Sequence, residues 1–370
     1  MAGLYIHIPF CSSRCVYCGF YSTTRNSMHR RYTDALCREI ELRRGYAGGD
    51  IHTIYIGGGT PSMLSEKLLQ QIFGCIGSCG AAEVTMECNP DDVTPDYAAA
   101  ISRLPVNRVS MGAQTFDDAR LAFLRRRHKA ADTARAVETL RRAGIGNISI
   151  DLMYGFPGET GGQWQSDIKA AMALGVEHIS AYSLMYEEGT PLFRMLEQGK
   201  VEEIDDELSA RMYYTLKDEL ENAGYEHYEI SNFAKPGRRS QHNSSYWTGI
   251  PYTGIGAAAH SFDGLSRQWN VADIDSYIDS IGRGIIPAER EELDTDTRYN
   301  DYVMLRLRTC EGIDTAAVRR DFGEEHLNYC LASSRRHIES GLLETAGSSI
   351  RLSRRGLFLS DMVMSDMMRV

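Results

Sequence analysis

The sequence predicts an α/β protein, built as a partial (β/α)6 barrel with a small winged-helix-like domain at its C-terminal end. Three observations support this fold class. Short apolar runs of strand character alternate with helical stretches, polar motifs follow the ends of those runs, and the alternation stops near residue 290. Repeated strand–helix units form parallel sheets with crossover helices, and six such units are too few to close an eight-stranded barrel.

The barrel is predicted to occupy residues 1–290, including an extension after its last strand. The predicted strands lie near Leu4–Ile8, Thr53–Ile56, Val84–Glu87, Arg108–Met111, Ile148–Leu152 and His178–Ser183. The helical patterns between them include Tyr32–Arg43, Ser65–Ile76, Ala131–Ala143 and Gln163–Leu174. Crossover helices of this kind place successive strands side by side and parallel.

Residues 291–370 are predicted to form the small C-terminal domain. After a helical segment, a second helix is expected at Thr315–Phe322, followed by a helix end, two short strands and a helix that starts at Ser353. This order resembles a winged helix. Such domains often bind DNA, but the acidic chain lacks a basic recognition helix. We therefore expect the domain to cap the mouth of the barrel.

Composition and charge narrow the class of protein further. The chain is 43% hydrophobic and 24% charged, which is ordinary for a soluble globular protein. Its net charge of −10 argues against nucleic-acid binding, since that binding depends on neutralising phosphates. No apolar run approaches the length of a membrane span, and the start MAGLYIHIPF does not resemble a secretory signal. These features predict a cytoplasmic protein.

Three cysteines stand close together in HIPFCSSRCVYCGFYS, directly after the first predicted strand. Cys11, Cys15 and Cys18 form C-x3-C-x2-C. Cytoplasmic thiols are kept reduced, so an iron–sulfur cluster explains this spacing better than disulfides do, and zinc would need a fourth ligand nearby. A cubane of four irons held by three cysteines leaves one iron open to a small chelating ligand. The second pair, Cys75 and Cys79, has no third cysteine nearby, so we expect no metal there.

Polar motifs follow four further predicted strands. These motifs contain Gly58, Gly59 and Thr60 in YIGGGTP, Glu87 in MECNP, Gln114 in SMGAQTF and Asp151 in IDLMYGFPGET. A single such motif is usually a tight turn or a helix cap. Together, at successive strand ends, they predict a polar ring at the mouth, because barrel sites form at the C-terminal ends of the strands.

The cysteine spacing and the motifs after it resemble the radical S-adenosylmethionine (SAM) superfamily, whose fold is a partial (β/α)6 barrel. The resemblance implies that Cys11, Cys15 and Cys18 hold a [4Fe–4S] cluster whose open iron binds SAM. It implies SAM contacts from the six residues of the polar ring. Arg126 matches a further SAM contact, with a solvated basic patch in LRRRHK as the alternative. Tyr5 and Tyr17 match positions beside the cluster and the adenine.

The order of the motifs over about residues 3–265 resembles oxygen-independent coproporphyrinogen III oxidases and their relatives. The oxidases continue to a fourth cysteine, C-x3-C-x2-C-x-C, where this chain has Phe20. That departure, and the segment HNSSYW, resemble the branch of HemW-type haem chaperones. The resemblance implies haem as a ligand and haem-acceptor proteins as partners. The alternative is an oxidase-like enzyme acting on a porphyrinogen, although coproporphyrinogen oxidation is not expected without the fourth cysteine.

Residues of HNSSYW are the candidate haem contacts. His242 offers an imidazole, a natural axial ligand for haem iron, and Tyr246 and Trp247 offer flat apolar faces. The basic stretch from Lys235 to Arg239 could meet propionates. The alternative is a loop anchored by its aromatic side chains, with a solvated histidine. The sequence leaves open whether SAM is cleaved in turnover, which donor supplies electrons, and whether the chain forms a homodimer.

Overall fold

Six parallel strands form the centre of the protein, seen in a computed structural model that describes residues 1–369. The last residue of the predicted C-terminal domain lies outside the described residues. These strands are β1 (Ala2–Ile8), β2 (Ile51–Gly58), β3 (Glu83–Cys88), β4 (Arg108–Gln114), β5 (Asn147–Tyr154) and β6 (His178–Ser183). They lie side by side in chain order, each parallel to the next. All six predicted strands are confirmed.

Helices cross between the strands and cover the outer face of the sheet. They are α1 (His29–Leu42), α2 (Glu66–Ile76), α3 (Pro95–Ile101), α4 (Asp118–Phe123), α5 (Ala130–Arg142) and α6 (Gly161–Ala173). The four predicted helices correspond to α1, α2, α5 and α6. Sequence analysis missed α3 and α4, which have seven and six residues and are too short to show a helical period. Thr94 caps α3 through the amide of Tyr97, and Pro95 fixes its first turn.

The strands alternate between an apolar outer face and a polar inner face. In β4, Val109 and Met111 are fully buried in the core under the helices, whereas Arg108 and Ser110 line a cavity on the inner side. Successive side chains of a strand point to opposite faces, so this period of two gives the barrel a hydrophobic outside and a polar interior. The interior can therefore hold polar ligands.

Short strands extend the sheet at both ends. The first set comprises β7 (Glu226–Glu229) and β8 (Asn232–Ala234) beside β6, and the second comprises β9 (Tyr252–Ile255), β10 (His260–Phe262), β11 (Ser266–Asn270) and β12 (Ala288–Glu292) beyond β1. The helices of this region are α7 (Pro191–Glu197), α8 (Asp206–Asn222), α9 (Gln241–Trp247) and α10 (Ile274–Gly282). Within the described residues the two end strands, β7 and β12, do not pair, so the barrel is partial, as predicted.

The C-terminal residues build a second, smaller layer of helices on a three-stranded sheet. Its elements are α11 (Thr295–Leu307), β13 (Ile313–Asp314), α12 (Thr315–Glu339), β14 (Leu343–Ala346), β15 (Ser349–Leu352), α13 (Arg354–Leu357) and α14 (Ser360–Met367). Gly323, with φ of 88°, breaks α12, which agrees with the helix predicted to end at Phe322. The side chains of Val303, Leu327 and Met367 pack in a hydrophobic cluster of this layer. The boundary at residue 290 stays a prediction.

This C-terminal layer packs on the β7–β8 edge of the sheet and on α9. The amide of Ile230 donates to the carbonyl of Arg308 at 3.0 Å, and the Arg308 guanidinium lies 2.7 Å from a carboxylate oxygen of Glu229. Among the described residues beyond 290, none lines the cavity that contains the three neighbouring cysteines. The expectation that this domain caps the mouth is therefore wrong, because its apolar face is used against a different side of the barrel.

Candidate functional site

The cysteine loop is held at the C-terminal end of β1 by backbone hydrogen bonds. The amide of Cys11 donates to the carbonyl of Thr23 at 2.9 Å, and the amide of Thr23 donates to the carbonyl of Pro9 at 2.7 Å. Phe10 is fully buried between them and packs edge-on to Tyr32 of α1. The loop thus leaves and rejoins the barrel at one point, and its three thiols all line one cavity.

The donor set of this loop fits an iron–sulfur cluster. Burial raises the pKa of the Cys11 and Cys18 thiols, and the neighbouring Cys15 thiol adds to both shifts. The positive charge of bound metal ions would therefore stabilise the thiolates. Among residues 1–369, no three histidine, cysteine or acidic side chains converge closely enough for a single ion. Thiols spread around a cavity suit a cluster in which each thiolate binds its own iron.

The glycine loop after β2 lies directly against the end of β1. Gly58 has φ of +110°, and a Cβ there would stand 2.4 Å from the His7 ring. A Cβ on Gly59 would stand 2.7 Å from the carbonyl oxygen of Phe10. Only glycine fits these positions. The close approach brings Thr60 Oγ1 to 3.7 Å from Cys11 Sγ, so the two loops form one wall of the cavity.

Two half-buried carboxyl groups lie on the inner wall. Glu87 accepts hydrogen bonds from the Tyr55 hydroxyl at 2.7 Å and from the Gly58 amide at 3.0 Å. Burial raises the pKa of Glu87 to about 7 and that of Asp151 to about 6. Hydrogen bonds from Ser180 to Asp151 oppose part of its shift. Both groups can therefore exchange a proton near neutral pH when a cationic ligand arrives.

Gln114 and Arg126 complete the wall beside the cysteines. Gln114 has a left-handed backbone, with φ of 63°, where the pairing of β4 with β5 shifts register. Arg126 donates to the Gly112 carbonyl at 2.7 Å and to Asn89 Oδ1 at 2.8 Å, and its Nη1 lies 3.8 Å from Cys15 Sγ. Arg125 and Arg127 also line this cavity, but they are exposed, whereas Arg126 is partly buried.

The predicted site residues separate into two groups. Those that line the cysteine cavity together are Cys11, Cys15, Tyr17, Cys18, Gly58, Gly59, Thr60, Glu87, Gln114, Arg126 and Asp151. Tyr5 instead lies in the barrel interior, where its hydroxyl is 2.9 Å from His7 Nδ1. Sequence analysis missed Asn89 and Ser110 on the same cavity. The motifs MECNP and SMGAQTF contain both residues, and their short polar side chains resemble ordinary turn and strand residues.

The HNSSYW segment forms the short helix α9, which closes the barrel at the N-terminal ends of its strands. Glu83, the first residue of β3, accepts hydrogen bonds from the backbone amides of Gln241 and His242, both at 2.9 Å. The His242 ring bonds to Thr53 Oγ1 through Nδ1 and to the Tyr246 hydroxyl through Nε2, both at 2.8 Å. Both ring nitrogens are thus occupied inside the protein, and the histidine is not the solvated one of the alternative interpretation.

His242 is 1% exposed, and burial lowers its pKa to about 3. Its ring stacks on Tyr55 with 5.2 Å between ring centroids, which links α9 to the Glu87 side of the interior. An iron could reach Nε2 only after Tyr246 released it. Trp247 lies on the other side of α9, beneath the Arg308 guanidinium at 5.2 Å from its ring centroid.

The basic stretch upstream of α9 does not face the cysteine cavity. Lys235 Nζ donates to the Gly175 carbonyl at 2.6 Å, at the N-terminal end of β6. Arg239 forms ion pairs with Glu226 at 3.1 Å and with Glu311 at 2.7 Å. The expectation that this stretch meets propionates is not supported, because two of its cations already have partners at the opposite end of the barrel.

A second cavity of about 580 Å³ opens beside the cysteine cavity, and we call it the lateral cavity. The two cavities share seven lining residues, which are Tyr17, Cys18, Phe20, Glu87, Ser110, Gln114 and Asp151. Three large apolar side chains on the lateral cavity are exposed to solvent: Phe20 at 72%, Tyr182 at 44% and Met185 at 63%. Arg108 and Asn243 also line it. Exposed apolar groups around a concave space mark a ligand-binding surface.

Three thiols around one cavity can hold a cluster while the polar wall receives a small zwitterion, which is the chemistry of the radical SAM class of proteins. Residues 5–171 match the radical SAM superfamily, and residues 293–359 match the HemN C-terminal domain. The solved structure of coproporphyrinogen III oxidase (HemN) from Escherichia coli, described as a radical SAM enzyme, has the same fold. Its TM-score is 0.85 at 20% identity, and the match covers 99% of this chain and 89% of that one.

Relatives of known name match over nearly the whole chain. The protein named heme chaperone HemW of Bacillus subtilis (strain 168) is 34% identical over 371 residues, covering 98% of both chains. Its namesake in Mycobacterium tuberculosis is 33% identical, covering 98% of this chain and 93% of that protein. The chain belongs to the HemW family within the radical SAM superfamily. Membership of that superfamily implies a [4Fe–4S] cluster and SAM.

Proposed function

We propose that this protein binds haem and delivers it to acceptor proteins, on a scaffold that holds a [4Fe–4S] cluster and SAM. The observation that carries the proposal is the full-length similarity to relatives named heme chaperone. Phe20 supports it, because an exposed phenylalanine takes the position of the fourth cysteine that the oxidases resembling this chain possess. The haem-acceptor proteins are the partners this function requires.

The cysteine cavity supplies the groups that the cofactors need. Cys11, Cys15 and Cys18 would hold the cluster, which when bound offers an open iron to SAM and an electron for its reduction. The Gly58–Thr60 loop and Glu87 would receive the amino end of SAM, and Asp151 would accept hydrogen bonds from its ribose. Gln114, Arg126 and Tyr17 would line the remainder. These residues orient the ligand and exclude water, which is the protein's share in such chemistry.

Haem contacts from α9 remain part of the proposal. His242 would serve as an axial ligand if α9 turned enough for Nε2 to exchange the Tyr246 hydroxyl for iron, with Tyr246 and Trp247 packing on the porphyrin. The closed arrangement of α9 supports a second role, in which His242 fixes the interior and haem binds elsewhere. Spectra of His242 variants separate these roles, as set out below.

A haem titration followed by absorbance tests the function. Cluster-loaded protein, prepared without oxygen, should develop a Soret band that saturates at a fixed haem-to-protein ratio and should pass haem to an apo-haemoprotein. A parallel assay should give no decarboxylation of coproporphyrinogen III in the presence of SAM and a reductant. Turnover of the porphyrinogen without stable haem binding would overturn the proposal in favour of an oxidase.

Described residues supply no helix that is both long and apolar enough to cross a membrane. The cytoplasmic location and the homodimer remain predictions. Fractionation of cells and sedimentation of the purified, cluster-loaded protein would test them separately from haem binding.

A further inference from the structure

Arg108 is a deeply buried cation without a matching anion. It is 1% exposed, and its nearest hydrogen-bond acceptor is Thr85 Oγ1, 3.5 Å from Nη1, at the limit of a hydrogen bond. Its Nε has no partner, and within residues 1–369 its guanidinium meets no carboxylate oxygen at ion-pair distance. Arg43, the comparable buried arginine, bonds to Glu39 at 2.7 Å and to Asn270 at 2.8 Å.

The acidic groups on the same cavity do not neutralise Arg108. Glu87 accepts from Tyr55 and Gly58 instead. Arg108 acts on the carboxyls of Glu87 and Asp151 through space, since it lowers the pKa of each, but neither forms an ion pair with it. A buried charge is normally paired and hydrogen-bonded. An arginine left without a partner at the wall of a cavity indicates a place for an anionic ligand.

The same cavity offers an apolar surface farther out. Arg108 lines the lateral cavity together with the exposed side chains of Phe20, Tyr182 and Met185. The volume of about 580 Å³ lies in the range of small-molecule and cofactor sites. One buried cation and three exposed apolar groups match a ligand that is flat and apolar over most of its surface and carries a carboxylate at one edge.

We propose that Arg108 binds a carboxylate at the inner end of the lateral cavity, and that this carboxylate is a propionate of haem. The inference rests on the proposed haem-binding function and assigns it a site. The guanidinium donates paired hydrogen bonds to the carboxylate, as arginine does in bidentate pairs, and the macrocycle packs against Phe20, Tyr182 and Met185. This site lies on the cysteine side of α9 and needs no movement of His242.

The test compares haem with haem dimethyl ester, in which both propionates are blocked. Wild-type protein should bind the diester roughly 10- to 100-fold more weakly than haem, the effect of losing a charge-assisted hydrogen bond. Arg108→Gln should weaken haem binding by a similar factor and leave diester binding nearly unchanged. Arg108→Lys, which keeps the charge, should retain part of the preference. Arg335→Gln makes the same substitution at an exposed arginine of α12 and should behave as wild type.

Saturable haem binding in the wild type first establishes the function on which the proposal rests. Equal affinity of the wild type for haem and its diester would then overturn the Arg108 site without any variant, even if Arg108→Gln failed to fold. SAM also carries a free carboxylate. Titrating SAM alone therefore shows whether Arg108 binds SAM instead of a haem propionate. If Arg108→Gln weakened SAM binding while leaving the preference for haem over its diester intact, the anion would belong to SAM and the haem assignment would be overturned.

Discussion

The two ends of the barrel interior differ in how fully their polar groups are hydrogen-bonded. At the N-terminal ends of the strands, every polar atom of the His242 ring has a partner, and Glu83 accepts from the start of α9. In the cavities that open toward the mouth, Arg108 at the inner end is unpaired, two carboxyls have raised pKa values, and Phe20 at the outer end is exposed. A buried polar group is normally hydrogen-bonded, and an unsatisfied one beside a cavity is explained by a missing ligand. The comparison indicates that α9 closes the barrel and the mouth binds ligands.

The largest difference between the two ends should appear when a cluster ligand is removed. Cys15→Ala should abolish the [4Fe–4S] cluster, because three thiolates are the minimum set in this loop, and Cys11→Ala and Cys18→Ala should do the same. Iron and sulfide analysis after anaerobic reconstitution measures this, with roughly four irons per chain expected in the wild type.

Cys75→Ala is the matched control for the loop variants, since this thiol lies at the end of α2 and outside the cysteine cavity. It should leave the iron content unchanged. A full complement of iron in Cys15→Ala would show that the cluster is held elsewhere.

A change at the closed end should instead cost stability. His242→Ala leaves the hydroxyls of Thr53 and Tyr246 without partners and opens a void against Tyr55. We expect a loss of about 3 kcal/mol in the free energy of unfolding, with the cluster retained. Chemical denaturation followed by circular dichroism checks this loss.

Tyr246→Phe removes a single hydroxyl and should cost about 1 kcal/mol. The haem spectrum of His242→Ala decides whether His242 ligates haem iron or only fixes the barrel interior. A shifted Soret band with little change in stability would mean that His242 ligates iron, and the contrast between the two ends would then be wrong.

A smaller effect is expected on the polar wall of the mouth. Asp151→Ala should weaken SAM binding by roughly 1.5–3 kcal/mol, because ribose hydroxyls lose a charged acceptor. Calorimetry on cluster-loaded protein measures the change, and Asp279→Ala on the exposed face of α10 is the control. SAM should bind far more weakly without the cluster. Equal SAM affinity with and without the cluster would contradict the assignment of this cavity.

A further effect concerns protons. The pKa of Glu87 is raised to about 7 from an ordinary value of 4.5, so ionising it costs folding free energy. The stability of the ligand-free protein should therefore decline as the pH rises from about 4.5 through 7, and Glu87→Gln should flatten this dependence. A cationic ligand beside Glu87 should release part of a proton near neutral pH. Calorimetry in buffers of different ionisation enthalpy detects that release, and its absence would place the cation elsewhere.

The sequence predicted the mouth better than the closed end, for a physical reason. Gly58, Glu87, Gln114 and Asp151 meet because parallel strands bring their C-terminal ends to one edge, so chain order alone brings them together. Apart from Tyr246, one helical turn away, the hydrogen-bond partners of His242 come from β2 and β3, which are distant in the chain, so no local pattern predicts them.

Two further features could not be predicted from local patterns. Strands β7 to β12 have only three to five residues, so pairing within the sheet, rather than local propensity, determines that they form strands. Arg108 begins a strand, and a charged residue there is ordinarily solvated. Arg108 is a buried cation only because the folded barrel encloses it.

The two hydrophobic cores share side chains. Ile230, in the β7–β8 turn, and Leu357, at the end of α13, each pack against both the barrel core and the core of the C-terminal layer. Heat capacity measured during unfolding should therefore show one cooperative transition instead of two, since neither layer can melt without exposing apolar surface of the other. The mouth and the C-terminal layer, which is farthest from the cysteines in the sequence, should thus be lost at the same temperature.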